Sequence, residues 1–294
     1  LPAHVREEAD GMALGARAPL ERVAAFLYAD IAPRASPTGA AESPIGPMCS
    51  AVIGPLAGGA TWVGRNCDWL TPTLMRGTGA VYHALPHRIP VLAVGIRGDI
   101  DVDTGMNAEG LWLHLHTMHD PRPASDGRPR ISWLFWAREA LETCPDLDAL
   151  EAFIVATRRD RGVMAIAVDG KTGEGAVFEC GTGTHRRHAA DPSAFVCATN
   201  HPLDRPLRTT PNRSGTLSRL HALHAGVGAR RPERGPEDII DLLASDGVEM
   251  REPRWIRTIY SVAVSPAAGE LWFAEGTPEG GSAASSDTWS RVGV

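Results

Sequence analysis

A thiol, a guanidinium and a carboxylate stand near one another in the first third of this 294-residue chain. Cys49 opens the segment CSAVIGPLAGGATWVGRNCDW, and Arg65 and Asp68 follow inside its GRNCDW run. Two apolar stretches, Ser50 to Ile53 and Thr61 to Val63, flank a Gly58-Gly59 turn, which predicts a β-hairpin. Antiparallel pairing in so short a hairpin brings the start of one strand beside the end of the other. The three groups are therefore expected in one pocket. A nearby cation raises the thiolate fraction of a cysteine, and the thiolate is the form that attacks a carbonyl. Asp68 has two readings, a bidentate partner of Arg65 or an acceptor for a substrate or α-amine hydrogen bond. The plainer alternative is a cysteine buried as a small hydrophobe beside an ordinary ion pair.

The elements that must hold these groups follow from apolar spacing. Val5 to Leu14 and Leu20 to Tyr28 carry helical periods. The run IAPRASPTGAAESPIGPM, ending at Met48, has no period and is expected to be an exposed loop that suits a scissile junction. Strands are expected at Val81 to Leu85, Val91 to Ile96, Leu111 to His116, Val163 to Val168, Ala176 to Glu179 and Ala194 to Ala198. Helices are expected at Trp133 to Thr143, Leu147 to Thr157, Thr216 to Ala225 and Pro236 to Ala244. A last hairpin is expected from Thr258 to Val264 and Glu270 to Ala274. No repeat interrupts this order.

Composition bounds the function. A chain with 43% hydrophobic residues can bury one sizeable core, and its length fits one large domain about as well as two. A net charge of −6 without a basic run makes nucleic acid an unsuitable partner. No apolar stretch approaches the roughly 20 residues of a membrane span, so no membrane partner is expected. Five cysteines without a CxxC pair suggest neither a zinc cluster nor a disulfide framework, and a reducing, cytoplasmic location is the simpler expectation. The chain begins at Leu1 rather than methionine, which leaves a longer precursor with an export signal open. The Ala, Arg, Gly and Pro content suggests a GC-rich bacterial genome.

Other candidate groups are weaker signals. HLHTMHD puts His114 and His116 on one strand face with His119 and Asp120 close behind; an HxH pair can ligate zinc, but a polar face lining a substrate pocket is the plainer reading, and no metal is expected. Trp62, Trp69, Trp112, Trp133 and Trp136 suit an apolar acyl pocket or ordinary core packing.

The stretch from Cys49 through GRNCDW resembles the isopenicillin N acyltransferase-like and choloylglycine hydrolase families of N-terminal nucleophile hydrolases, which cleave linear amides. EEADGMALGARAPLERVAAFLYADIA resembles the helical pro-segment of the acyltransferase-like branch. GMNAEGLWL (105–113), ATNHP (198–202), LSRL (217–220) and RTIYSVAVSPAAGELWFAEGTP (257–278) follow in that branch's order. The resemblance implies an α+β fold, a four-layer αββα sandwich of two antiparallel sheets. It implies a helical pro-segment over residues 1–48 and a catalytic domain over 49–294, the two fragments staying associated after cleavage between Met48 and Cys49.

It also implies roles. The Cys49 thiol would attack the Met48 carbonyl, and the freed α-amine would serve as base for a nucleophilic thiol that passes an acyl group to water or to an amine. Asn200 would be the oxyanion donor, against a turn residue before Pro202, and Arg219 would add positive charge, against a solvated arginine on a helix face. His116, Thr117, Trp69 and His201 are the expected substrate-binding residues. The expected partners are a small-molecule amide or acyl donor and an amine acceptor, with natural-product metabolism as one setting; no cofactor is called for, and a homo-oligomer is left open. The rivals are a catalytically silent small-molecule binding protein and an unprocessed hydrolase pairing Cys49 with His116 or His201. The chain departs from the pattern in three places. Met48 replaces the usual glycine, Cys67 stands where an aromatic residue is more common, and Thr117 stands where bile-salt hydrolases carry an asparagine that helps form the oxyanion hole.

Overall fold

Alternating strand residues point to opposite sides of a sheet, and in this protein both sides of each sheet are covered. The computed structural model describes residues 2–27, 48–56, 59–70, 77–118, 129–191, 193–203, 215–229, 235–251, 256–277 and 281–293. The chain runs through α1 (Ala3–Ala16), α2 (Leu20–Leu27), β1 (Met48–Pro55), β2 (Thr61–Leu70), β3 (Thr78–His83), β4 (Val91–Ile96), β5 (Thr104–Asn107) and β6 (Leu111–Thr117). It continues with α3 (Trp133–Thr143), α4 (Leu147–Ala156), β7 (Val163–Asp169), β8 (Gly175–Cys180), β9 (His185–Ala189) and β10 (Val196–Ala198). It ends with α5 (Thr216–Ala229), α6 (Pro236–Leu243), β11 (Ile256–Ser265), β12 (Glu270–Glu275) and β13 (Ser290–Gly293).

Six strands form one sheet in the order β10-β1-β2-β11-β12-β13, and seven form the other in the order β3-β4-β5-β6-β7-β8-β9. All the ladders are antiparallel. Val63, Ile166, Val177 and Val262 join one core between the sheets. Val52 and Leu220 with Ile239 and Leu243 of α6 pack the six-stranded sheet on its helices, and Leu113 and Phe178 pack the seven-stranded sheet on Trp136 and Leu150. This is the four-layer αββα sandwich.

The helical segment before β1 docks on α3. Val5, Ala9 and Ala13 form a stripe at four-residue spacing that meets Phe135 and Ile100. Arg138 Nη1 lies 2.7 Å from Glu8 Oε2, its Nε donates to Glu142 at 2.8 Å, and His4 lies 2.9 Å from Glu142.

Met48, expected at the end of an exposed loop, is 4% exposed and sits in β1 opposite Asp68, because its backbone continues the hairpin ladder. Residues 31–47 and Tyr28 lie outside the described residues. The strand expected at Val81 to Leu85 is displaced to Thr78–His83 by its pairing with β4, and Ala194 and Phe195 stand ahead of the short β10. β5, β9 and β13 were not expected; each is at most five residues long and takes its extended form from a paired neighbour. Among the described residues no helix is long and apolar enough to cross a membrane.

Candidate active site

The β1–β2 hairpin sorts its polar residues by parity. Val63, Cys67 and Trp69 belong to the inter-sheet core, and Arg65 shares their face. Asn66 and Asp68 point the other way, toward the helices: Asn66 donates to the Leu243 carbonyl at 2.9 Å, and Asp68 meets Arg219 of α5. A strand places residues three apart on opposite faces, so Arg65 and Asp68 do not form the pair that was one reading of Asp68. The Arg65 carboxylate is Asp103, with Nη2 3.0 Å from Oδ2 and Nη1 donating to the Asp103 carbonyl at 2.8 Å and to the Thr104 hydroxyl.

Cys49 lies on the inter-sheet face directly opposite Cys67. Arg65 Nη2 is 3.6 Å from Cys49 Sγ. Burial works to raise the Cys49 thiol, but a hydrogen bond donated by Cys67 and the charge of Arg65 outweigh it, so Cys49 lies below its ordinary value while the donor Cys67 is pushed well above. Burial also opposes the charge on Arg65, and Asp103 holds that charge in place. Tyr260 completes this face, donating to Asp103 Oδ1 at 2.8 Å with its ring 5.5 Å from the guanidinium carbon of Arg65.

The backbone of Cys49 is held from the other side. Its N–H donates to Asn200 Oδ1 at 3.0 Å. Arg219 Nη2 donates to the same oxygen at 2.8 Å, and its Nη1 donates to the Cys49 carbonyl and, at 3.0 Å, to Ser50 Oγ. Asn200 Nδ2 donates to the Thr117 carbonyl at 3.0 Å. Asp68 accepts from Thr258 at 2.7 Å through Oδ1; its Oδ2, 3.9 Å from Arg219, makes no hydrogen bond among the described residues. Cys49, Arg65, Asp68, Asn200 and Arg219 thus come together around one residue, in two half-sites separated by the hairpin.

A cleft adjoins the thiol face, lined by Cys67, Asp103 and Tyr260 and by the apolar side chains of Trp69, Ile96 and Trp133 among others. Trp62, Trp112 and Trp136 are in the three cores instead. His116, Thr117 and His201 stand behind Asn200 rather than on the cleft wall. His116 Nδ1 donates to the Thr199 carbonyl at 2.7 Å, and His201 Nδ1 lies 2.8 Å from Thr216 Oγ1, which also accepts from the Asn200 N–H at 2.9 Å. Burial, then Arg65, keeps His116 well below its ordinary value, so its imidazole is neutral. His114 Nδ1 accepts from Trp112 at 2.8 Å; His119 and Asp120 lie outside the described residues. Asp103, Tyr260 and Thr258 were missed. Tyr260 and Thr258 lie inside RTIYSVAV and Asp103 two residues before GMNAEGL, so the signal was proximity to motifs, without a partner to point at.

The sequence pattern of the acyl-coenzyme A:6-aminopenicillanic acid acyl-transferase family matches residues 56–280, well over half of the chain. The chain belongs to that family. The acyl-transferase match takes in Arg65, Asp68, Asn200 and Arg219 and starts just after Cys49. No curated protein matches the sequence. Solved structures match in fold. A mutant conjugated bile acid hydrolase from Clostridium perfringens is 11% identical at a TM-score of 0.60, over 84% of this chain and 92% of its own. A Caenorhabditis elegans ortholog of N-acylethanolamine-hydrolyzing acid amidase is 15% identical at 0.56, over 74% and 93%. Penicillin V acylase from Agrobacterium tumefaciens is 16% identical at 0.56, over 77% and 83%. These likenesses place this acyl-transferase family member in the N-terminal nucleophile hydrolase fold.

Proposed function

We propose that the chain is a self-processing amidohydrolase or N-acyltransferase that cleaves a linear amide or acyl thioester through an acyl-enzyme on Cys49. The observation that carries this reading is the double hold on Cys49: Arg65 Nη2 lies 3.6 Å from its sulfur, while Asn200 Oδ1 lies 3.0 Å from its nitrogen. A thiol stabilised as thiolate and a nitrogen held by an acceptor are what an N-terminal nucleophile requires.

In the first step Cys49 Sγ attacks the Met48 carbonyl carbon, a C–S bond forms, the peptide C–N bond breaks, and the Cys49 nitrogen takes up the proton. Water hydrolyses the thioester and frees residues 1–48 as a separate fragment. The resulting α-amine, with an ordinary pKa of about 7.7 to 8.0, is partly unprotonated at neutral pH and takes the thiol proton in each later cycle. The amide group of Asn200 donates to the developing oxyanion. Arg219 positions Asn200 and the Cys49 carbonyl, Asn200 Oδ1 is the acceptor that holds the new amine, and Asp68, opposite Met48 in the ladder, lies beside Arg219. The apolar wall of the cleft suits the acyl part of the substrate. Water and an amine acceptor compete for the same acyl-enzyme, so hydrolase and transferase share this half-reaction.

The test is the denatured intact mass of freshly purified protein with N-terminal sequencing of its fragments. A fragment starting at Cys49, absent in Cys49→Ala, is expected, together with complete loss of amide and thioester turnover in that variant. An unbroken wild-type chain, or turnover retained by Cys49→Ala, would remove this reading and move the search for a base to His116 and His201.

A further inference from the structure

Cys49 and Cys67 face each other across the β1–β2 ladder. Residues directly opposite in an antiparallel pair have Cα atoms about 4.5 or about 5.5 Å apart, according to their place in the ladder. A disulfide accepts about 4.4–6.8 Å. Either position lies inside that range. Two other cysteines in strands have no cysteine opposite, since Cys180 faces Val163 and His185, and Cys197 faces Val52. We propose that the Cys49–Cys67 pair is a redox modification site, in which Cys67 resolves Cys49 after a hydroperoxide has oxidised it.

The surroundings divide the labour between the two sulfurs. Arg65 favours the thiolate of Cys49, the form that hydroperoxides oxidise, while Cys67 keeps its proton. Cys67 lines the open cleft, which admits a small hydroperoxide to the pair. The Cys49 thiolate attacks one peroxide oxygen; an S–O bond forms, the O–O bond breaks, and hydroxide or alkoxide leaves. Cys49 is now a sulfenic acid, oxidised by two electrons that the peroxide has taken up. Cys67 Sγ attacks that sulfur, the S–S bond forms, the S–O bond breaks, and the departing hydroxide leaves as water with the Cys67 proton. A dithiol reductant returns two electrons and two protons and becomes its own disulfide. The bond removes the thiol on which both self-cleavage and turnover would depend, reversibly, and spares Cys49 from irreversible oxidation to the sulfinic acid.

The test uses the full chain, treated with hydrogen peroxide, alkylated under denaturing conditions and digested for mass spectrometry. The expected product in the wild type is a linked pair of peptides containing Cys49 and Cys67, lighter by two hydrogens than the free peptides and separated by dithiothreitol, with Cys180 and Cys197 alkylated. In Cys67→Ser, Cys49 is expected to accumulate two or more oxygens instead. Wild-type Cys49 that carries those oxygens beside an alkylated Cys67 would overturn the proposal. So would two unmodified thiols at a peroxide dose that oxidises free N-acetylcysteine. Because the readout is covalent mass on the wild type, its failure leaves cleavage and amide turnover standing, and their failure leaves the linked peptide standing.

Discussion

Asp68 is fully buried, and although Arg219 and the Thr258 hydroxyl oppose the effect, burial pushes its carboxyl from 3.8 up to about 6. A carboxyl with a folded pKa above its unfolded one binds its proton more tightly in the folded state. Its contribution to stability is complete below the unfolded value of about 4 and is lost as pH rises through about 6. The gap corresponds to about 3 kcal/mol. Asp68→Asn, made in a Cys49→Ala background so that chain cleavage does not intrude, should lack this dependence. Its unfolding free energy relative to the parent, from denaturant titration, is expected to rise by about 3 kcal/mol between about pH 4 and pH 7; a flat difference would count against a proton on Asp68. Asn200 makes a different prediction. Asn200→Ala is expected to slow appearance of the Cys49 fragment, and turnover, by about 10²- to 10³-fold. Asn200→Asp keeps the acceptor for Cys49 N–H and Arg219 but loses the amide donor, so an equal loss in both variants assigns the effect to the donor. That Cys49, Arg65, Asp68, Asn200 and Arg219 gather at one hairpin was legible from motif order. The single pocket expected for Cys49, Arg65 and Asp68 is not formed, because Asp68 takes the opposite face and meets Arg219. Their pairing was not legible, because Asp103 and Arg219 reach the hairpin from other elements.

β2 approaches α6 so closely that its residue 64 has no room for a side chain. A Cβ on Gly64 would stand 2.6 Å from Ile239 Cγ2 and 3.0 Å from Val52 Cγ1, and both neighbours are β-branched and stiff. Gly64→Ala is expected to cost about 1–3 kcal/mol, read as a lower Tm. Gly95→Ala, on β4 with nothing within 4 Å of its added Cβ, is the control and should change Tm little. The long elements were readable because their periods repeat: the helix Trp133–Thr143 and the strand Val91–Ile96 agree with expectation to the residue. β9, with the sequence HRRHA, carries no alternation and is extended because it pairs with β8.

The helical segment before β1 belongs to the same body as the rest. Its apolar stripe packs on Phe135 and Ile100, Glu8 pairs with the buried Arg138, and His4 lies 2.9 Å from the buried Glu142. Cleavage between Met48 and Cys49 would leave these contacts intact. Both fragments are therefore expected to co-elute in native size-exclusion chromatography and to separate only when denatured; separate native elution would show that the covalent link, rather than this packing, holds the segment. Apolar periods and the resemblance carried by the order of short motifs were enough for the sandwich and for the hairpin that holds Cys49. Those features depend on neighbours a few positions apart, which a linear reading can see. The choice of Asp103 for Arg65 and Arg219 for Asp68, the burial of Met48 and the meeting of Cys49 with Cys67 arise only when the strands pair and the layers stack. Which face a side chain takes follows from its parity in the strand, but what waits on that face is supplied by residues tens to more than a hundred positions away.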